Sequence, residues 1–242
     1  MEGRRAVREL LAAGRRPARE VWLADGIEEA PIISDILDLA ARHHVVVRRV
    51  ARSRLDAHAR TDAPQGVLAY AAPLPEVPLD ELVVPSERGA PAPFLLVFDG
   101  VTDPHNLGSL LRSAECAGAT GVVLGRHRAV HITPTVAKVA AGAIERLPMA
   151  VVPGTAGAIA DLAKAGVWTV GLDRSGPVRL WDLELATEPV ALVLGSEGRG
   201  LSRLAAARCD VTVTIPEQGD ITSLNVAAAG AVACFEVARR RS

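Results

Sequence analysis

The 242-residue chain is 49% hydrophobic and 23% charged with a formal net charge of -1, a balance that excludes a disordered chain and carries no overall basicity to announce nucleic acid. Three cysteines, Cys116, Cys209 and Cys234, lack C-x-x-C spacing and cannot all pair, which argues against a disulfide framework and a zinc site and for a reducing compartment. No apolar run reaches membrane-spanning length and the opening MEGRRAVREL has no signal-peptide core, so a cytoplasmic protein without a membrane partner is expected.

In chain order, the first third alternates between helix and strand. A helix is predicted around Arg4 to Ala13, a strand at VWLA, a helix from Pro31 to Arg42, a strand at VVVRRV, a short helix opened by Ser53 as N-cap, and a strand at GVLAYA. This pattern describes a small α/β/α domain over residues 1–72. Those residues hold 12 Arg against 10 acidic side chains, and Arg42, Arg48, Arg49, Arg52, Arg54 and Arg60 cluster with His43, His44 and His58 into a plausible basic patch. Residues 72–93 contain six prolines, whose fixed φ angles and missing donors suit an extended connector, so 73–92 reads as an interdomain linker.

Residues 93–242 form a second domain with longer periods. Apolar, β-branched runs occur at FLLVF (94–98), GVVL (121–124), MAVV (149–152), VWTVGL (167–172), VALVL (190–194) and VTVTI (211–215). Helical stretches separate most of them, which predicts an α/β fold with a mainly parallel six-stranded sheet covered by helices on both faces. Ligands of such sheets bind beyond the carboxyl ends of the strands, and three loops there carry the unusual residues.

In the first loop, DGVTDPHNLGSLLRSAECAGATG, Asn106 is expected as the N-cap of a helix running to about Ala117, with Arg112 leaning back over Gly108. Each of the two is equally compatible with a plain cap and a solvated helix residue. The second loop, GSEGRG, has neither the Rossmann glycine spacing nor a P-loop ending, and Glu197 repels the anions that glycine-rich loops usually cradle. By itself it is an ordinary glycine turn. The third, IPEQGDITSLNV, leads through Ser223 and Asn225 into a long alanine-rich helix containing Gly230, suited to core packing or to a dimer interface.

Together the three loops resemble the motifs of the SpoU class of the SPOUT superfamily, the RNA 2′-O-ribose methyltransferases: an Asn with an Arg six residues later, a G-x-E-G-x-G loop, and an I-P run ending in S-L-N-V. Asn106 with Arg112, Gly195 to Gly200, and Ile215 to Val226 match them in order, and GRRAVRELL and PQGV resemble the RNA-binding domain of the subgroup that modifies a guanosine of large-subunit ribosomal RNA. The resemblance implies a deep trefoil knot, a homodimer and S-adenosylmethionine as methyl donor with no metal. It assigns Arg112, Asn106, Glu197, Ser223 and Asn225 to catalysis, and Leu194, Gly195, Glu197, Gly198, Ile215, Pro216, Leu224 and Asn225 to the cofactor. The RNA partner is expected to be 23S ribosomal RNA, with transfer RNA as the alternative substrate. A catalytically silent RNA-binding protein of the same fold and a nicotinamide-dependent oxidoreductase are the rival classes.

Overall fold

The computed structural model describes residues 1–84, 91–126, 132–219 and 223–242. Within them the chain divides into two compact units, Met1–Pro75 with Ile132–Arg146, and Glu76–His131 with Leu147–Ser242.

The first unit is built on three strands, β1 (Ala18–Ala24), β2 (Val46–Val50) and β3 (Val67–Ala71), in the order β2-β1-β3 with β1 parallel to β2 and antiparallel to β3. Helices α1 (Arg4–Ala13) and α2 (Pro31–Arg42) cover one face, where Val7, Leu10, Ile33 and Ile36 pack on Val21, Leu23 and Val67. The opposite face carries Trp22, Ala24, Val50 and Leu68, which Leu55 of α3 (Arg52–His58) covers. That short helix starts two residues earlier than the expected Ser53 cap allows: Ala51 is its N-cap, and Ser53 lies inside the first turn. Residues 132–146, including α5 (Pro134–Val139), group with this unit, where the fully buried Glu145 accepts from Arg16 Nε at 3.0 Å.

In the second unit, β4 (Phe94–Asp99), β5 (Gly121–Gly125), β6 (Met149–Val152), β7 (Trp168–Leu172), β8 (Val178–Arg179), β9 (Val190–Gly195) and β10 (Val211–Thr214) form one sheet in the order β6-β5-β4-β9-β7-β10-β8. Every neighbouring pair runs parallel. The sheet therefore has seven strands where six apolar runs predict six; β8 is only two residues long, too short to leave a periodic signal. Strands β4, β5 and β9 are buried at every position, as sheets covered on both sides require.

On one face, α6 (Thr155–Lys164) and Ala205 of α7 (Arg203–Ala206) pack on Val97, Val123 and Val193. The same cluster takes in Leu82, from the helical turn Leu79–Val83 that lies within the proline-rich stretch. Glu76 also bridges to Met149, so that part of 73–92 is packed onto the second unit rather than free of it, while 85–90 lie outside the described residues. On the other face, α8 (Val226–Arg241) presses against α4 (Pro104–Cys116). Gly230 makes this possible: a Cβ there would stand 2.2 Å from Leu110 Cδ2 and 3.0 Å from Leu194 Cδ1. Glycine costs a helix interior about 1 kcal/mol relative to alanine, so its use here marks a contact that a larger side chain would force apart. The small side chains of α8 thus serve core packing inside the chain, and Val232 and Phe235 are left exposed on its outer side.

Candidate active site

A cavity of about 470 Å³ opens outside the carboxyl ends of β9, β7 and β10, three adjacent strands. Leu194, Gly195, Glu197, Gly198, Ile215, Ser223, Leu224 and Asn225 line it, bringing together most residues singled out from the second and third motifs. Pro216, Asn106 and Arg112 do not line it.

The glycine loop has a specific internal geometry. Ser196 and Gly200 exchange backbone hydrogen bonds at 2.9 Å in each direction, closing a tight turn with Glu197, Gly198 and Arg199 at its tip. Gly198 (φ 77°) and Gly200 (φ 68°) adopt the left-handed conformation that L side chains avoid. Gly195 serves a different purpose, because a Cβ on it would lie 2.1 Å from the Gly200 carbonyl carbon. Its missing side chain lets the loop fold back on its own strand; close approach to a ligand is not what makes Gly195 necessary.

Asn106 was expected as a helix cap, and the structure assigns that task elsewhere. Asp103 is the N-cap of α4, its carboxylate accepting from Asn106 N at 2.8 Å, and Pro104 occupies the first turn where its missing N–H costs nothing. The buried Asn106 carboxamide is thereby released to donate from Nδ2 to Glu197 Oε2 at 2.9 Å. Asn225 does cap its helix, accepting from Ala227 N at 2.8 Å. A backbone N–H must meet an oxygen, so this bond fixes which end of the Asn225 amide donates. Its Nδ2 then reaches Asn106 Oδ1 at 3.1 Å and Glu197 Oε1 at 3.2 Å. Three side chains from three motifs close a hydrogen-bonded triangle, and among the described residues the carboxylate at its apex receives only uncharged donors. The triangle presents a net negative charge at the cavity wall.

Arg112 stands apart. Six residues beyond Asn106 correspond to about 600° of helix, roughly a third of a turn off the Asn106 side. It is exposed, and no hydrogen bond or ion pair of Arg112 is found among the described residues. A guanidinium in that setting is available to an anion.

Two groups of residues escaped the sequence reading. Leu172, Asp173 and Arg174, at the end of β7, also line the cavity, because β7 lies between β9 and β10 in space though not in sequence. Asp99, the buried last residue of β4, accepts from Ser202 N at 2.7 Å and Thr155 Oγ1 at 2.5 Å, tying the far end of the glycine loop to the central strand. An acidic residue closing an otherwise apolar run was the available signal. Burial pushes the Cys209 and Cys234 thiols up to about 12, leaving neither a thiolate nucleophile near neutral pH. Among the described residues no group of three His, Cys, Asp or Glu is placed to hold a metal ion, and no helix is long and apolar enough to cross a membrane.

Residues 93–235 match the model of the SpoU rRNA methylase family, and residues 1–77 match the model described as RNA 2′-O ribose methyltransferase substrate binding. The chain is 38% identical over 242 residues to the 23S rRNA (guanosine-2′-O-)-methyltransferase RlmB of Pseudomonas putida, covering 99% of this chain and 95% of that protein. The RlmB of Pseudomonas syringae pv. tomato is also 38% identical, over 243 residues with the same coverage. Among solved structures, the SpoU methyltransferase AviRb from Streptomyces viridochromogenes, in complex with the cofactor AdoMet, superimposes with a TM-score of 0.81 at 27% identity, covering 100% of this chain and 89% of that one.

Proposed function

The chain belongs to the SpoU rRNA methylase family, and from that membership we propose that it transfers a methyl group from S-adenosylmethionine to a ribose 2′-hydroxyl of RNA, at a guanosine of 23S ribosomal RNA. The observation that carries this reading is the triangle in which Asn106, behind the cavity wall, bonds to Glu197 and Asn225, which line the cavity beside the glycine loop.

The cavity fits the cofactor. Its volume lies in the range of about 300–1,000 Å³ usual for cofactor-sized ligands, Leu194, Ile215 and Leu224 supply apolar walls, and Glu197 supplies negative charge suited to a sulfonium. Leu194, Gly195, Glu197, Gly198, Ile215, Leu224 and Asn225 would hold it, with Pro216, outside the lining, fixing the backbone after Ile215. When bound, S-adenosylmethionine supplies an already activated methyl group, so no metal is called for. The protein's task is alignment and charge: the 2′-hydroxyl must be held in line, and its oxygen must gain negative character as its proton passes to water, leaving the 2′-O-methyl ribose and neutral S-adenosylhomocysteine. Arg112, too basic to act as a proton acceptor, grips the phosphate next to the target ribose and stabilises that developing charge. Asn106 and Asn225 orient Glu197, and Ser223 shapes the pocket mouth.

Residues 1–72 capture the RNA and residues 93–242 carry out the transfer, with the chain of the second part closed in a trefoil knot. The insertion of β9 between β4 and β7 and the packing of α8 against α4 and β9 support that topology. The exposed Val232 and Phe235 on α8, with Trp181, support a homodimer through that helix, which light scattering checks. A protein of this kind works in the cytoplasm, where ribosomes are assembled. Purified chain should transfer labelled methyl from S-adenosylmethionine to 23S ribosomal RNA from a strain lacking the gene, and nuclease mapping should place it on one guanosine ribose. Label on transfer RNA instead, or on no RNA, would refute the reading.

A further inference from the structure

The two faces of the N-terminal sheet are covered unequally. Two helices of 10 and 12 residues bury one face, whereas the seven-residue α3 protects only part of the other. Period-two alternation sets Val46, Arg48 and Val50 of β2 on the α3 side, beside Glu20, Trp22 and Ala24 of β1 and Leu68 and Tyr70 of β3. Leu55 of α3 closes over Ala24, Val50 and Leu68. At the other end of the strands Val46 remains 53% exposed and Tyr70 half-buried.

Cations frame this open corner. The Arg54 guanidinium lies 5.2 Å from the Trp22 ring, and Trp22 meets the edges of His58 and Tyr70 with ring centroids at 4.9 and 5.4 Å. Arg48 projects from β2 with 62% of its side chain exposed, and it pairs with Glu20 at 2.8 Å. Two apolar side chains are too little area for a protein partner, which needs roughly 1,000 Å² of well-packed surface. An aromatic pair, Trp22 with the half-buried Tyr70, carrying the Arg54 guanidinium on Trp22 and the exposed Arg48 on the neighbouring strand, instead matches a single-stranded nucleic acid, whose bases stack on an accessible ring and whose phosphates pair with arginines.

We propose that the α3 side of this sheet is a platform for unpaired RNA, with a base stacked on Tyr70 and the flanking phosphates held by Arg48 and Arg54. The proposal rests on the RNA-methylation reading and adds where, and in which form, the substrate is held. Of the clustered arginines it selects Arg48 and Arg54; Arg49 faces the opposite side of β2.

The full-length chain is titrated with a fluorescent 20-nucleotide oligouridylate and with a duplex of equal length across a salt series. The single strand should bind at least tenfold more tightly than the duplex. Tyr70→Leu should weaken single-strand binding about tenfold, within the range for losing one base stack, whereas Tyr70→Phe, which keeps the ring, should bind as wild type does. The pair Arg48→Gln and Arg54→Gln should lower the salt slope by about 1.4, about 0.7 for each lost phosphate contact. Far-UV circular dichroism and the thermal melt of the full-length chain should be unchanged in all variants, which reports the folding of the first unit that carries the substitutions. Equal affinity for duplex and single strand, or variants that bind oligouridylate with wild-type affinity and slope, overturns the platform. Failure of wild-type protein to methylate any RNA overturns the parent reading instead, so the two failures are distinct.

Discussion

The glycine loop after β9 and the last turns of α8 each hold a glutamate between two side-chain donors, yet the two carboxylates are put to different uses. Glu197 is exposed at the cavity wall and receives the carboxamides of Asn106 and Asn225. Glu236 is buried on α8 and receives the guanidiniums of Arg239 at 2.8 Å and Arg240 at 2.7 Å. Amides orient a carboxylate without cancelling its charge, so Glu197 keeps a field that a cationic ligand can use. Two arginines neutralise Glu236 and hold its carboxyl down to about 2, the hydrogen bond from Arg239 being the main cause. The lesson is that the chemistry of the donors, more than burial, separates a carboxylate available for binding from one committed to structure. The same contrast separates the exposed Arg112 from Arg240, which also donates to the Trp181 carbonyl.

Arg112→Ala should break the contrast most visibly. Methyl transfer in single turnover should fall about a hundredfold or more, the scale of losing one preorganised charge stabiliser, while S-adenosylmethionine affinity measured by calorimetry stays within about twofold. Arg112→Lys should recover little, because a compact ammonium does not reproduce the planar fork. Rates from pH 6 to 10 discriminate the roles: a rise near the lysine pKa in that variant would make residue 112 the proton acceptor.

Glu197→Gln removes the charge and keeps the shape. Cofactor affinity should fall about tenfold, the loss expected when a charge-assisted contact becomes a neutral one, with the melting temperature unchanged within about 1 °C. Unchanged affinity would mean that the triangle serves only to fold the loop.

Glu236→Gln should do the reverse, leaving cofactor affinity alone and lowering stability by about 1–2 kcal/mol, a shift of roughly 2–8 °C in a chain of this size. The effect is small because Arg239 is largely exposed and its pairing is screened by solvent.

The smallest effect is the pH dependence of that difference. A carboxyl whose folded pKa lies below its unfolded value of about 4.3 contributes in full above that value and loses its contribution as pH falls through the folded pKa. The stability gap between wild type and Glu236→Gln should therefore be constant down to about pH 5 and close between about pH 4 and 2. Urea melts at pH 7, 4 and 3 measure it, and a gap that widens on acidification would contradict the assignment.

Much of the fold was legible locally. Helices α1 and α2 and strands β5 and β6 fall where periodicity and turn residues place them, because their apolar spacing matches the face they bury. The cap of α4 was misread for an equally local reason: Asp103 and Asn106 are both good N-caps, and Pro104 decides between them by its preference for the first turn.

What the chain determined by itself is the order of its strands along the sequence, the glycines its turns require, and three motifs whose spacing identifies a family. What only the tertiary structure decided is which of those pieces meet. Asn106 and Asn225 lie 119 residues apart, and their contact exists because α8 settles on α4 at Gly230. The place of β7 between β9 and β10 likewise brings Asp173 and Arg174 into the cavity. Local pattern encodes which face of an element is apolar, whereas strand order depends on the summed packing of the whole sheet, and no short window of sequence contains that sum.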